Sequence, residues 1–243
     1  MISHTKGEDE NGEEKREHPD VYPHNSFTEI SIKHPYDSFM SLVTTHEGVS
    51  TPLSRGNIQA RLRMIYLYNL ASIHKGIVID TDNLTEHNLG YFTIHGDQGD
   101  VNPIGDLWKT QVFELANYIF YRYDAEARQT SAYYNPNNAI VTKLNALKKS
   151  ISLKPTAGLG ITNNDLEEIG AESYEQVDSI LREILAWKRL ATERGDLPED
   201  LKEQKEMFLD EQQMLNIPIE VIVNVTNKHF ASEFKRKQMP ILL

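Results

Sequence analysis

Cysteine is absent from the sequence, which excludes disulfides, thiolate metal sites and a cysteine nucleophile. Long apolar runs are absent too: no stretch approaches the roughly 20 residues that a membrane helix requires. The N-terminal region lacks the apolar core of a secretory signal, so a cytoplasmic protein is expected. The Asn-x-Thr triplets at Asn83 and Asn224 then carry no glycosylation meaning. Positive charge is scarce, with 25 Lys and Arg against 36 Asp and Glu, for a net charge of −11. That balance argues against a nucleic-acid partner, because phosphate contacts need a basic face. None of the nine histidines stands at His-x-x-x-His or His-Glu-x-x-His spacing, so no histidine metal site is expected. No internal repeat is visible.

What is present suits a globular chain. The 243 residues are 39% hydrophobic and 25% charged, enough for one domain with a real core or two small ones. Residues 1–25 hold seven acids, three bases and few apolar side chains. They are expected to form a disordered acidic tail, because so little apolar burial cannot offset the entropy of ordering. The folded domain is expected over 26–243. Alternation predicts a strand over 27–32, ended by His34-Pro35, with a short helix over 36–43. The clearest helix runs over 57–74, between Gly56 and Gly76, with Ile58, Leu62, Ile65 and Ile73 on its inward stripe. Residues 76–80 form an apolar run that fits a buried parallel strand, and a helix feeding such a strand is the half-unit of an α/β fold. Asp106 is placed to cap a helix over 107–123, with Val112, Phe113, Ala116, Ile119 and Phe120 inward. Further helices are predicted near 164–170, 174–192 and 219–234, with a charged, solvated excursion over 192–213.

The segment Thr81-Asp-Asn-Leu-Thr-Glu86 follows the strand at 76–80, and ligands of open parallel sheets bind outside the carboxyl ends of the strands. Its hydroxyl and its carboxylate five residues on suit phosphate and magnesium chemistry. The competing reading is a polar loop in which Asn83 or Thr85 caps a helix. Asp100, in the Gly96–Asp100 turn, can accept from a ribose or amide, or bond its own backbone. Lys109 lies in the first turn of a helix, where the dipole prefers anions. A phosphate partner explains its presence there. Arg61 sits at the edge of its helix's apolar stripe, where Arg commonly snorkels or pairs with an acid, and Arg63 points away. The trio Lys235-Arg-Lys237 reads as a solubilising helix end.

Taken together, Gly56-Asn-Ile-Gln-Ala-Arg-Leu-Arg-Met64, Thr81-Asp-Asn-Leu-Thr-Glu86, Gly90-Tyr-Phe-Thr93, Gly96-Asp97 and Pro103-Ile-Gly-Asp-Leu-Trp-Lys-Thr110 resemble the ammonia-dependent NAD synthetases. The likeness resumes at Lys154-Pro-Thr156, Ser173-Tyr-Glu-Gln-Val-Asp178 and Phe234-Lys-Arg-Lys-Gln-Met-Pro240. The resemblance implies a Rossmann-like parallel sheet flanked by helices, of the ATP pyrophosphatase type. It also implies a reaction, the ATP-dependent amidation of deamido-NAD through an acyl-adenylate, with release of pyrophosphate and then AMP. Ammonia is the nitrogen donor, ATP a substrate and magnesium the cofactor. By position in the family's motifs, Thr81, Lys109 and Thr156 would contact ATP, with Lys109 also catalytic, and Glu86 would hold magnesium. Arg61, Asp100, Phe234 and Lys235 would contact deamido-NAD. A homodimer is implied as well.

The departures from that pattern set a second expectation. The family's Ser-Gly-Gly-x-Asp-Ser segment cradles pyrophosphate on backbone amides, and no Gly-Gly pair occurs here. Activity is therefore expected to need a phosphate loop from another chain, the family's N-terminal part being replaced by the polar tail. Ile94 stands where many members have Lys, Asp80 where Gly is common, and Phe234 where His is common. The alternative is a non-catalytic homologue that binds a dinucleotide or a partner subunit. Loss of the first strand would leave a sheet edge unpaired and the isolated chain marginally stable.

Overall fold

A computed structural model describes residues 30–46, 51–129, 138–153, 165–214 and 216–238. The expected tail at 1–25, most of the strand expected at 27–32, and Thr156 lie outside the described residues. The elements run α1 Lys33–His46, α2 Pro52–His74, α3 Leu84–Leu89, α4 Lys109–Arg128, α5 Ala139–Ser152, α6 Asp165–Ile169, α7 Tyr174–Arg194, α8 Leu201–Glu211, α9 Ile219–Ala231 and α10 Glu233–Lys237.

Several boundaries depart from the sequence pattern for identifiable reasons. Residues 30–32 carry no strand, and α1 opens at Lys33 with Pro35 in its first turn. A proline there removes an N–H that the helix leaves unpaired anyway. Helix α2 starts at Pro52, because Thr51 accepts from the Ser54 N–H at 3.1 Å and the proline suits the first helical position. Gly56 is inside this helix, not at its start. The buried face of α2 is Gly56, Ala60 and Met64, while Ile65 and Ile73 are 64% and 65% exposed. Of the expected inward stripe, Ile58 and Leu62 are half-buried and the other two face outward. The reason is close approach: the 93–97 loop lies on the small-residue face, near enough that a Cβ on Gly96 would meet Ala60 Cβ at 3.0 Å. Thr93 fastens the contact by donating to Asn57 Oδ1 at 2.8 Å.

The segment at 76–80 is extended, with Val78 and Asp80 buried but Ile77 and Ile79 exposed. It meets residues 100–101 through an isolated parallel bridge, Ile79 to Val101, and the Asp80 N–H donates to the Val101 carbonyl at 2.9 Å. Gly99 packs against its backbone, where a Cβ would lie 2.5 Å from the Asp80 nitrogen, so no side chain fits there.

The core is helical. Val177, Ile180, Leu181 and Ile184 of α7 are fully buried against Val221, Ile222 and Val225 of α9. Burying such side chains contributes roughly 1.5–3 kcal/mol each. Helix α8 falls in the stretch expected to be solvated, yet its Phe208 is fully buried and meets Trp187 edge-on at 5.7 Å. The opposite face of α8 carries the charges that made the segment look solvated. Leu89 of α3 and Trp108, just before α4, join the same core. They tie the strand exit at 81–86 to the helical body.

Candidate active site

The first turn of α3 is built by a reciprocal cap. Asn83 Oδ1 accepts from the Thr85 and Glu86 N–H groups at 3.1 Å each. Glu86 Oε2 accepts back from the Asn83 N–H at 2.9 Å and from Asn83 Nδ2 at 2.6 Å. The other oxygen, Glu86 Oε1, accepts from Lys109 Nζ at 2.6 Å. The capping reading and the charged-site reading of this segment therefore both hold, on different residues: Asn83 caps, and Glu86 meets Lys109.

Lys109 is also held by its backbone. Helix α4 begins at Lys109, not after Asp106, which is exposed. The Lys109 N–H donates to Thr85 Oγ1 at 2.8 Å and the Thr110 N–H donates to Asp178 Oδ2 at 3.0 Å. The Thr85 hydroxyl in turn donates to Asp178 Oδ1 at 2.5 Å. Thr85 and Asp178 are 0% and 2% exposed. The helix start is thus fixed by side chains of α3 and α7, a signal that no local cap pattern contains. On the outer side of α4, Ile119 is exposed rather than inward.

The Lys109–Glu86 pair stands among further acids and a tyrosine. The Lys109 ammonium lies 5.6 Å from the centroid of the Tyr174 ring, an attraction for the cation. The Tyr174 hydroxyl donates to Asp165 Oδ2 at 3.4 Å. Burial, then the charges of Asp165 and Glu86, push the Tyr174 hydroxyl pKa up. Burial raises the Asp165 carboxyl, opposed by the Lys109 charge. Asp82 is pushed up to about 8, first by burial and then by the negative charges of Asp80, Glu86 and Asp97. Its Oδ2 is buried without a hydrogen-bond partner. Asp80 itself is turned to the backbone, accepting from the Asp82 N–H at 2.8 Å and the Gly99 N–H at 3.2 Å.

Asp82, Asp165, Tyr174 and Asp178 were not among the residues singled out from the sequence. Asp82, Tyr174 and Asp178 stood inside the quoted segments Thr81–Glu86 and Ser173–Asp178 without a role of their own, and Asp178 is also a lone acid on the otherwise apolar face formed by Val177, Ile180 and Leu181.

The other expected residues lie around this centre. Thr81 is exposed at the strand exit. Arg61 is exposed and donates to the Ile94 carbonyl at 3.2 Å, while Arg63 is the more buried arginine and senses Asp97. Asp100 does not bond its own backbone. Its Oδ2 accepts from the Val78 N–H at 2.8 Å, and the Tyr68 hydroxyl donates to its Oδ1 at 3.4 Å. Phe234 is 56% exposed. Lys235 is half-buried and donates to the Gly90 and Phe92 carbonyls at 2.6 and 2.7 Å. Its neighbour Arg236 donates to the Asn88 carbonyl at 2.7 Å and to the His229 carbonyl. The basic trio is therefore a clamp rather than a solubilising end, except at exposed Lys237. The structure brings Lys109 and Glu86 together. Arg61, Asp100 and Lys235 are instead engaged with the backbone of residues 78–94.

Set beside known proteins, the chain finds its class and then its relatives. The NAD synthase family model matches residues 21–239, and the chain belongs to that family. It is 32% identical over 213 residues to the NH3-dependent NAD(+) synthetase of Methanosarcina acetivorans, covering 87% of this chain and 66% of that protein. With the NH3-dependent NAD(+) synthetase of Thermoplasma acidophilum it shares 36% identity over 160 residues, covering 65% and 54% of the two chains. The fold is similar to that of the solved NMN synthetase from Francisella tularensis, with a TM-score of 0.56 at 28% identity over 88% of this chain and 66% of that one. The chain thus spans between about half and two thirds of the length of these relatives.

Proposed function

We propose that this chain takes part in NAD biosynthesis, amidating deamido-NAD with ammonia at the expense of ATP, in concert with a phosphate loop that lies outside its 243 residues. The observation that carries the reading is the 2.6 Å meeting of Lys109 and Glu86 at the exit of the extended segment 76–80, in a chain of this family. Adenylation of the nicotinate carboxylate concentrates negative charge on the α-phosphate, and a fixed cation there stabilises it. Lys109 supplies that cation, with the Tyr174 ring centroid 5.6 Å from its ammonium. Thr81 and Thr156 would contact ATP beside it, and Arg61, Asp100, Phe234 and Lys235 would border the dinucleotide. A Rossmann-like parallel sheet, of which the Ile79–Val101 bridge is one pairing, and a homodimer belong to the same reading.

The residues fit magnesium in a limited sense. No group of three or more acids or histidines among the described residues forms a protein-only metal centre. Magnesium commonly uses one or two carboxylates and completes its shell with phosphate oxygens and water. Glu86 would be the protein anchor, and the negative charges that add to burial in lifting Asp82 are what a dication would offset. Bound there, it would neutralise the phosphates during adenylation.

The test is NAD formation from deamido-NAD, magnesium-ATP and ammonia. The purified chain alone is expected to give none. Addition of the amino-terminal part of the Methanosarcina relative, as a source of the phosphate loop, is expected to give turnover that Lys109→Ala abolishes. Turnover by the chain alone would show that ATP sits elsewhere, and no turnover with the supplement would sink the reading. The likeness to NMN synthetase favours a second reading, in which the acceptor is nicotinate mononucleotide. Running both acceptors in the same assay decides between them.

A further inference from the structure

The geometry points to Asp178 as a positioning residue that, through Thr85, sets Lys109 against Glu86. Asp178 sits on α7, well away in sequence, and makes no contact with the Lys109 ammonium. Its two oxygens divide the work. Oδ1 accepts from the Thr85 hydroxyl at 2.5 Å, and Oδ2 accepts from the Thr110 N–H at 3.0 Å. Because the Thr85 hydroxyl spends its proton on Asp178, its lone pair is left for the Lys109 N–H, at 2.8 Å. Thr85 and Glu86 are consecutive residues of α3. The one holds Lys109 by its backbone and the other by its ammonium, so a single helical turn grips both ends of the same residue.

The arrangement is directional. A hydroxyl has one proton to donate, and an ionised Asp178 can only accept. The pairing therefore admits one polarity, from the α4 amides to Thr85 and from Thr85 to Asp178. Among the described residues the carboxylate makes no ion pair and is held by the Thr85 hydroxyl and the Thr110 N–H in the first turn of a long helix, whose dipole favours an anion. An amide at position 178 would turn a donor toward one of these donors. A valine at position 85 would keep the shape but remove the relay. Either change frees the start of α4 to move relative to α3, and the Lys109 ammonium moves with it.

The catalytic use of this device rests on the reaction proposed above; the positioning itself does not, and the experiment separates the two. The readout is the nitrogen–proton NMR signal of the Lys109 side-chain ammonium in the full chain, assigned by its disappearance in Lys109→Arg. The Lys109 ammonium is bound to a carboxylate on a side chain only 14% exposed, which slows its exchange with water. Thr85→Val and Asp178→Asn are expected to abolish or markedly shift that signal while cooperative unfolding persists, and Thr85→Ser is expected to restore it. An unchanged signal in a folded Thr85→Val or Asp178→Asn protein overturns the proposal, and so does failure of Thr85→Ser to restore it. If Asp178→Asn does not fold, the Thr85 pair still decides. In the supplemented amidation assay, Asp178→Asn is expected to lower kcat at least tenfold with little change in KM for deamido-NAD. An altered signal in a protein whose wild type never makes NAD would leave the positioning standing and remove only the reaction.

Discussion

At the scale of single residues, charge is the organising quantity. Asp82 lies near Asp80, Glu86 and Asp97, and burial of its carboxyl first, then those negative charges, make it hold its proton to about pH 8. The folded state thus binds a proton that the unfolded chain has released by about pH 5. Its contribution to stability falls as pH rises from about 4 to about 8, on the order of 1.4 kcal/mol for each unit by which the pKa is raised. Asp82→Asn should remove that slope, so that its urea midpoint lies well above wild type at pH 8 and close to it at pH 4. Parallel midpoints for the two proteins across that range would refute the account. Lys109→Gln should act in the opposite sense. It leaves the half-buried Glu86 without its cation, at a cost of roughly 1.5–3 kcal/mol at neutral pH, read as a lowered urea midpoint. Of this centre, the sequence made Lys109 and Glu86 legible, because a lysine in a first turn and a carboxylate beyond a strand are visible locally. Asp165 and Tyr174 were given no role, since they reach the site from α6 and α7; Tyr174 stood in the quoted segment Ser173–Asp178, but its approach to Lys109 is not visible locally.

At the scale of elements, helix boundaries depend on distant partners. The α2 pattern named the right helix but the wrong face, because large apolar residues were taken as inward when Gly56 and Ala60 make the close contact. The α4 start was misplaced because Thr85 and Asp178 cap it from outside. The six residues of α3 are too few to be stable alone. Its C-terminal end is held by α10, with Lys235 on the Gly90 and Phe92 carbonyls and Arg236 on the Asn88 carbonyl. Arg236→Met should cost about 1–2 kcal/mol, since the Asn88 and His229 carbonyls are then left to share the Ser232 hydroxyl, and should speed amide exchange in α3. Lys237→Met should do neither, because that side chain is exposed. Gly90 closes α3 at a φ of 71°, and a Cβ there would lie 2.3 Å from Ser232 Cβ. Gly90→Ala should therefore destabilise by about 2 kcal/mol or more, read as a lowered melting temperature.

At the scale of the whole molecule, the helical body and the 76–80 segment differ in how well they are covered. The α7–α9 core is closed, and its 3.6-residue patterns were readable in the sequence for that reason. The parallel sheet was expected from one apolar run and from the family resemblance, and the described residues hold one isolated parallel bridge, Ile79 to Val101. Ile77 and Ile79 are 61% and 52% exposed, beside Ile73 of α2. An exposed apolar edge of this kind promotes association. Ile79→Lys should slow aggregation on heating without lowering the unfolding midpoint, as light scattering and circular dichroism would report together. A second apolar face lies on α4, where Leu115, Tyr118 and Ile119 are exposed within one helical turn. If that face joins two protomers, Leu115→Asp with Ile119→Asp should convert a sedimenting dimer to monomer, and an unchanged sedimentation coefficient would remove it from the interface.

The fastening of α3 by α10 also has a consequence in time. Lys235 grips a carbonyl 145 positions before it in the chain. A ribosome adding roughly 5–20 residues per second needs on the order of ten seconds to cover that distance. For that interval a nascent chain carries α3 without the fastening of its C-terminal end, which can form only after translation has passed Arg236.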